Sequence, residues 1–558
     1  MPNMYREKLK DTPKEYLNWR LYFGVFIFGM MGAARGLDEG MIGTTTTQPS
    51  FIREFGLNDF PDTDAGEHAQ ANLLSNITSM VQLGSIGGAA LAFYLSDKLG
   101  RLWATRQLCA WWIVGAIIYL TSEGKLGQLY AGRLIMGIGI GQSTVVAPTY
   151  LAEIAPKAIR GLCTTMFAGN VYFGIMLGYF ASYGTNIHIS GNSATQWIIP
   201  NSLHIIFAGI ICIATFFSLE SPRWLMKVGR DEDAIKVMSK LRNVPADDQG
   251  LLNEIGDIRL HLEHELESVR GSSKWGLLKE LFTIKSNLYR VYIGILCQIL
   301  GQWSGANSIT VYAPKYFQAV GVQGTEVKLL TTAVFGVVKF VAALSCAFFL
   351  IDFIGRKRSL GIGISLQFIA MLYIALFMFI DSDIATSAGA AEQSSSQKSA
   401  GLGAIVFIYI SGIGWALGWN SIQYLINAEI FPLRLRSIGT SMVMVLHFAN
   451  QYGNTKAVPS MFVSLGYGGT MLFFAVVTLI GLVWAIFSIP ELAGKSLEAT
   501  DEIFELPWWS IGLKGGKVGN KGPVERALEH GDDEEKEKAV EVIEHLPGGQ
   551  HYAQAARQ

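Results

Sequence analysis

Ionisable side chains stand in this chain where a hydrocarbon-soluble segment should carry none. Arg35, Asp38 and Glu39 fall within one apolar run, and Lys339 falls within another. A charge inside a membrane-length segment is costly unless it is paired, so such residues are functional candidates by default. A second group offers neutral hydrogen bonds. Gln302 and Asn307 lie in a third run with Trp303, Tyr312 and Tyr316; Trp419, Asn420, Gln423 and Tyr424 lie in a fourth; His447, Asn450 and Gln451 lie in a fifth. Amides and hydroxyls can replace the water bonds that a polyhydroxylated ring gives up, and an aromatic plate can face the ring. Isolated amides between apolar helices commonly serve as glue, but their clustering on three runs favours a binding site. His447 adds a group that titrates near neutrality. Lys339 suits a carboxylate on a ligand, or it neutralises Glu39 or another acid.

The elements that must position these residues are membrane spans. The chain has 558 residues, is 50% apolar and only 16% charged, and contains 61 glycines. A soluble domain carries about a quarter charged residues. Apolar runs of about 20 residues, enough to cross roughly 30 Å of hydrocarbon, are expected at 21–43, 73–96, 103–122, 127–150, 162–184 and 203–219. After a polar segment at 220–285, further runs follow at 287–318, 328–351, 359–380, 402–428, 438–462 and 469–490. The expected fold is therefore an all-α membrane protein of 12 transmembrane helices in two six-helix halves, 21–219 and 286–490. The polar segment has helical patterning at Asp231–Leu241 and Leu251–Leu266, which predicts a helical linker. The N-terminal 1–20 carries Arg6, Lys8, Lys10, Lys14 and Arg20 without an apolar core, unlike a cleavable signal. Basic residues concentrate in the loops on the side of both termini, which predicts that the termini, linker and 491–558 tail are cytosolic.

Composition also excludes function classes. A net charge of −1 gives no sign of nucleic-acid binding. Cys109, Cys163, Cys212, Cys297 and Cys346 lie inside apolar runs with neither disulfide nor metal spacing. No nucleotide loop or nucleophile constellation is visible, so the reading is no enzyme, no cofactor and no metal. The Gly137–Gly141 run serves close helix packing.

Charged signatures recur. Glu153-Ile154-Ala155-Pro156 closed by Arg160 returns as Glu429-Ile430-Phe431-Pro432 closed by Arg436, and Asp97 with Arg101 returns as Asp352 with Arg356. Repeats in the same order imply a duplicated bundle whose halves rock against each other. Arg101, Glu153, Arg160, Arg356, Glu429 and Arg436 can pair when the cytosolic side closes. Each such pair is worth about 0–1 kcal/mol near water, but several can bias a two-state equilibrium. Topology marking by positive charge is the simpler alternative.

These motifs resemble the sugar-porter family of the major facilitator superfamily. The Asp-x-x-Gly-Arg loops and Glu-x-x-Pro-x-x-x-Arg elements match, as do Glu220-Ser221-Pro222-Arg223 ending the first half and Pro490-Glu491 ending the second. Gln302-Trp303-Ser304-Gly305-Ala306-Asn307 looks like that family's substrate motif, and Asn18-Trp19-Arg20 and Gln196-Trp197-Ile198-Ile199-Pro200 look like fungal quinate and sugar permeases. The resemblance covers about 15–500. It implies gating ion pairs that include Asp97, Glu220, Arg223 and Asp352. It also implies proton coupling through Asp38 in span 1, held charged by Arg133 in span 4, with Glu39 beside it, and it leaves open a static Asp38–Arg133 tie. Departures fall at the site: Gly301, Ala168 with Asn170 nearby, Tyr424 and His447 stand where family contacts differ. The leading expectation is a proton symporter importing a monosaccharide at the fungal plasma membrane. The first rival is a symporter of quinate or a sugar acid such as galacturonate; a facilitator or a non-transporting sensor are others. The partners implied are the solute, protons and the bilayer, with a monomeric state.

Overall fold

The computed structural model describes residues 14–156, 159–269, 274–346, 356–380, 395–420 and 430–491, with 503, 504, 506, 507 and 510–515 of the remainder. Among the described residues the structure is helical, without strands. The first half contributes α1 (Trp19–Thr45), α2 (Asp64–Leu99), α3 (Arg101–Leu120), α4 (Leu126–Ile154), α5 (Arg160–His188) and α6 (Thr195–Ala214). The second half begins with α7, a broken helix made of Lys285–Gln302, Ala306–Val311 and Ala313–Ala319. It continues with α8 (Thr325–Ser345), α9 (Arg356–Ile380) and α10 (Ser395–Trp415), the last running into a π-turn at Ala416–Asn420. A continuous helical stretch Leu433–Ser488 folds back at Gly466, where φ is +68°, and so supplies α11 (433–465) and α12 (467–488).

Seven described helices are long and apolar enough to cross a membrane on length and composition alone, and one of them, Ile438–Ser488, holds both α11 and α12. The span α1 is less apolar because Arg35, Asp38 and Glu39 sit in it. Bulky apolar side chains cover the outer surface, including Phe26, Trp103, Ile213, Ile369 and Phe487. Such a belt needs lipid rather than water around it.

Small residues set the helix spacing, as expected where lipid removes the hydrophobic drive for association. Gly32, Gly36 and Gly40 form one stripe of α1. A Cβ on them would lie 2.2, 1.9 and 2.5 Å from the carbonyl oxygens of Phe167, Val171 and Ile175, so α1 and α5 touch backbone to backbone. The halves meet chiefly where α2 packs on α11 and α5 on α8. The linker forms helices Pro222–Lys227, Asp231–Arg242, Gln249–Val269 and Lys274–Thr283, with their own core around Trp224, Met238 and Leu251. Arg242 anchors this subdomain: it is fully buried, grips Glu254 at 2.8 and 2.9 Å, and donates to the carbonyl of Ile154 at the end of α4. Asn18 caps α1 by accepting from Arg20 and Leu21 N–H, and donates to the linker at Leu241.

Candidate functional site

The site is organised by the interruption of α7. Gly305 adopts φ +87°, the left-handed region, and a Cβ there would meet Phe474 at 2.6 Å. Glycine is the residue that accepts both conditions. The freed carbonyl of Ser304 is taken up by Gln367 of α9 (2.9 Å) and Thr478 of α12 (3.3 Å). Irregular backbone at membrane depth survives where neighbouring helices satisfy it in this way. The break turns Gln302, Trp303 and Asn307 toward α11.

There the amides form a connected set. His447 Nδ1 lies 2.8 Å from Gln298 Oε1 and 3.3 Å from Gln302 Nε2. One ring nitrogen cannot donate to the first and accept from the second. The shorter contact places the proton on Nδ1, donating to Gln298. Gln302 Oε1 and Gln298 Nε2 are then buried with no hydrogen-bond partner among the described residues. Such orphans cost about 1–3 kcal/mol each unless something meets them, which suits a hydroxylated ligand. Trp303 Nε1 donates to Asn450 (3.2 Å), Asn307 donates to Thr455 (3.3 Å), and Gln451 donates to Asn307 (3.3 Å). Tyr312 donates to the carbonyl of Thr455 and meets Thr78 of α2, both at 2.7 Å, so it bridges the halves. Tyr316 is held by Ser308.

The charges divide into separate groups. Asp38 and Arg133 meet at 3.2 Å between α1 and α4, with 3% and 1% of their side chains exposed, and the Tyr119 ring lies under the guanidinium. This pair lies wholly within the first half. Arg35 reaches Glu39 at 3.3 Å and stacks over Phe448 of α11, while Gln451 Nε2 donates to the same Glu39 oxygen at 3.1 Å. Lys339 is 2% exposed; its ammonium donates to Thr310 at 2.6 Å and faces the Tyr172 and Phe335 rings at 5.2 and 5.4 Å. Tyr172 belongs to the first half and accepts from Trp415 of α10 at 2.8 Å.

The other sequence-predicted residues lie apart from this cluster or outside the described residues. Trp419 is fully buried against Leu300 and Gly481, behind α7 rather than as an open plate, and Asn420 is buried nearby. Asn170 rests against Gly29 of α1. Gln423, Tyr424, Glu429 and Asp352 lie outside the described residues, as do the side chains of Arg160, Arg356 and Arg436. Gln298, Thr310, Gln367, Thr455 and Tyr172 join the site without having been singled out from sequence; Gln298 stands one helical turn before Gln302, a spacing that could have flagged it, whereas Gln367 and Tyr172 carry no such signal.

At the linker end of the first half the charges interlock. Arg101 grips Glu153 through two bonds (2.7 and 2.9 Å), Asp97 at 3.2 Å and the Ser96 carbonyl at 2.8 Å. Lys227 holds the other oxygen of Asp97 at 2.8 Å. Glu220 caps α3, accepting from the N–H groups of Arg101 and Leu102 at 3.0 and 3.1 Å. Burial pushes the Glu220 carboxyl up, against the pull of these backbone bonds and that of Ser221. Beneath lies a cavity of about 200 Å³ lined by Asp97, Arg101, Glu153, Arg223 and Lys227 of the first half and linker and Thr440 of the second half. The opposite face is closed. Gly43 of α1 presses on the Val311 backbone, and Lys456 of α11 reaches Asn72 at 2.8 Å and also Asn76 of α2.

Known proteins share this architecture. The family model described as "Sugar (and other) transporter" matches residues 24–504. The chain is 33% identical over 502 residues to a quinate permease of Neurospora terricola, covering 89% of this chain and 91% of that one. It is 33% identical over 500 residues to a quinate permease of Neurospora africana, again covering 89% and 91%. Among solved structures it resembles the major facilitator superfamily proton:xylose symporter XylE bound to 6-bromo-6-deoxy-D-glucose. The TM-score is 0.70 at 20% identity, over 87% of this chain and 99% of that one, a likeness of fold.

Proposed function

The chain belongs to the sugar transporter family of the major facilitator superfamily, and from that premise we propose that it carries a small polyhydroxylated carboxylate together with a proton. Transport runs by alternating access between the two halves. The observation that carries this reading is Lys339. A buried ammonium needs a counter-charge, yet among the described residues it makes no ion pair and one hydrogen bond, to Thr310. Glu39 is within electrostatic reach but is already held by Arg35. The charges of Arg35, Glu39, Asp38, Arg133 and Lys339 leave one positive charge over, which a monocarboxylate cancels. The hydroxyls of that solute meet Gln302, Gln298, Asn307 and Asn450, with Trp303, Tyr312 and His447 around them. Similarity to proteins called quinate permeases supports the same class.

A neutral monosaccharide is the second reading, favoured by the orphaned amide atoms of Gln302 and Gln298. They are as suited to a sugar as to a cyclic acid.

The linker face is cytosolic and the protein is a monomeric plasma-membrane importer, not an enzyme. The carboxylates of α1 carry the proton. The Arg101 cluster and its counterpart at Asp352, Arg356, Glu429 and Arg436 gate the cytosolic side. The experiment is uptake of labelled glucose, xylose, galacturonate and quinate by yeast lacking its own sugar carriers, with and without a protonophore. Acid uptake abolished by the protonophore supports the reading; glucose uptake indifferent to it overturns both solute and coupling.

A further inference from the structure

The last helix of the linker, Lys274–Thr283, has two unlike faces. Leu277 and Leu281 turn inward and join the apolar core of the second half, where the helix packs on α7 and on the Leu433–Ser488 stretch. That contact fixes the rotation of the helix. Trp275, Lys279 and Phe282, spaced by four and three, share one helix face. They are left outside, with Trp275 79% and Phe282 47% exposed. The apolar part of this face does not stop at the helix end. It runs on through Ile284, Leu288 and Tyr292, all exposed, onto the lipid-facing belt of α7. Tyr292 Oη accepts from Trp484 Nε1 of α12 at 3.1 Å, and tyrosine and tryptophan are the residues enriched at a membrane–water boundary. The side chains of Lys279 and Lys285 are exposed and make no ion pair or hydrogen bond among the described residues. The one acid of the helix, Glu280, is half-buried.

We propose that this face is an interfacial anchor that binds anionic phospholipid in the leaflet on the linker side. Three observations select that partner. The face is continuous with a surface that needs lipid, and it begins where that belt ends. Its exposed tryptophan and phenylalanine suit the boundary between acyl chains and headgroups, where a helix lying in the membrane plane buries its apolar face. Lys279 and Lys285 then meet headgroup phosphates, and it is the cytosolic leaflet, on the side proposed for the linker, that carries anionic lipid. The anchor bears on how the halves move. The linker is fastened to both of them: Arg242 donates to the Ile154 carbonyl of α4, while Leu277 and Leu281 lie in the core of the second half. Lipid held by Trp275, Phe282 and the two lysines keeps the second-half end of the linker at the bilayer surface, opposite its attachment to the first half.

The test reads lipid contact at the helix itself. A fluorophore is attached to the full chain in lipid nanodiscs through Thr283→Cys, an exposed position beside Phe282. Four native thiols are buried and Cys212 is half-buried, and the chain without this substitution, treated alike, gives the background. A separate label through Ile369→Cys, exposed in the middle of α9, reports ordinary lipid contact. Quenching by brominated phosphatidylserine is compared with quenching by brominated phosphatidylcholine. Both leaflets have the same composition, so the outcome does not depend on which face of the protein is cytosolic. At the Thr283 position phosphatidylserine should be preferred by about 30-fold, two lysines at roughly fivefold each, while at Ile369 the two lipids should quench alike. Lys279→Gln with Lys285→Gln should remove the preference, and Lys279→Arg with Lys285→Arg should keep it. Trp275→Ser with Phe282→Ser should weaken quenching by both lipids as the helix lifts from the surface. Unchanged quenching at Ile369 shows in each variant that the bundle is folded in the bilayer. A label at Thr283 that neither lipid quenches, or that both quench equally, overturns the proposal. So does a preference that survives Lys279→Gln with Lys285→Gln.

Discussion

Replacing Lys339 by methionine separates a carboxylate carrier from a sugar carrier. The side chain fills a similar volume, so the cage of Tyr172, Phe335 and Thr310 keeps its packing. Loss of the ammonium leaves no orphan behind, because the Thr310 hydroxyl still donates to the Ala306 carbonyl at 2.8 Å. Removing a buried charge in favour of an apolar side chain is often neutral or stabilising, so Lys339→Met should fold and reach the membrane. What it loses is a charge-assisted bond to the solute, worth about 1.5–3 kcal/mol, or about 10- to 150-fold in affinity. The assay is competition: quinate and galacturonate against labelled solute, beside galactose and glucose, in parent and variant. The inhibition constants of the acids should rise by about one to two orders of magnitude and those of the neutral sugars should stay within about threefold. An equal loss for acids and sugars would mean that Lys339 is structural, and the carboxylate argument would fail with it.

Other consequences are local. Arg101→Ala leaves Glu153, whose side chain is 9% exposed, without its two guanidinium bonds. Breaking a pair this buried costs about 3–5 kcal/mol; a double Arg101→Ala/Glu153→Ala chain should melt above the Arg101 single variant in a detergent thermal-shift assay, and additive losses would show that the pair is not coupled. Gly305→Ala must strain a left-handed residue and drive a Cβ into Phe474; a penalty of about 1–3 kcal/mol should lower transport by about 5- to 150-fold, while surface delivery stays normal. Glu220 gives a pH signature. Its folded-state carboxyl lies above the ordinary 4.5 because of burial. The folded chain thus binds the proton more tightly than the unfolded one, so this group's contribution is present below the ordinary value and lost as pH rises through the raised one. Glu220→Gln should flatten the thermal midpoint between acid and neutral pH; an unchanged slope would place the titration elsewhere.

The architecture was legible because apolar runs of membrane length alternate with charged loops, and the structure follows that rhythm. The helix ends were less so. α2 starts at Asp64, well before the apolar run at 73–96, because Thr63 caps it by accepting from Gly66 and acids fill its first turn. The run 287–318 reads as one uninterrupted span, yet α7 breaks at Trp303–Gly305. The glycine alone does not announce the break; Phe474, Gln367 and Thr478 from distant spans make it tolerable. The same physics limits reading the site. Gln302 and Asn307 stand out as amides near each other in sequence. Gln451 stands out beside His447 and Asn450 in the same way, but their partners Gln298 and Thr455 acquire meaning only when α11 lies against α7. The grouping of Arg35 with Glu39, apart from Asp38 with Arg133, likewise needs the helical phase and the neighbouring spans: adjacent residues of α1 point to different halves of the protein.

Accumulation by the purified chain in sealed liposomes, with an imposed inward proton gradient and labelled quinate or glucose outside, tests the central claim most directly. Concentrative uptake of quinate that collapses when the gradient is dissipated, with glucose merely equilibrating or excluded, is the predicted result. Accumulation of glucose with quinate ignored, or quinate uptake that never exceeds equilibrium under the gradient, would contradict it.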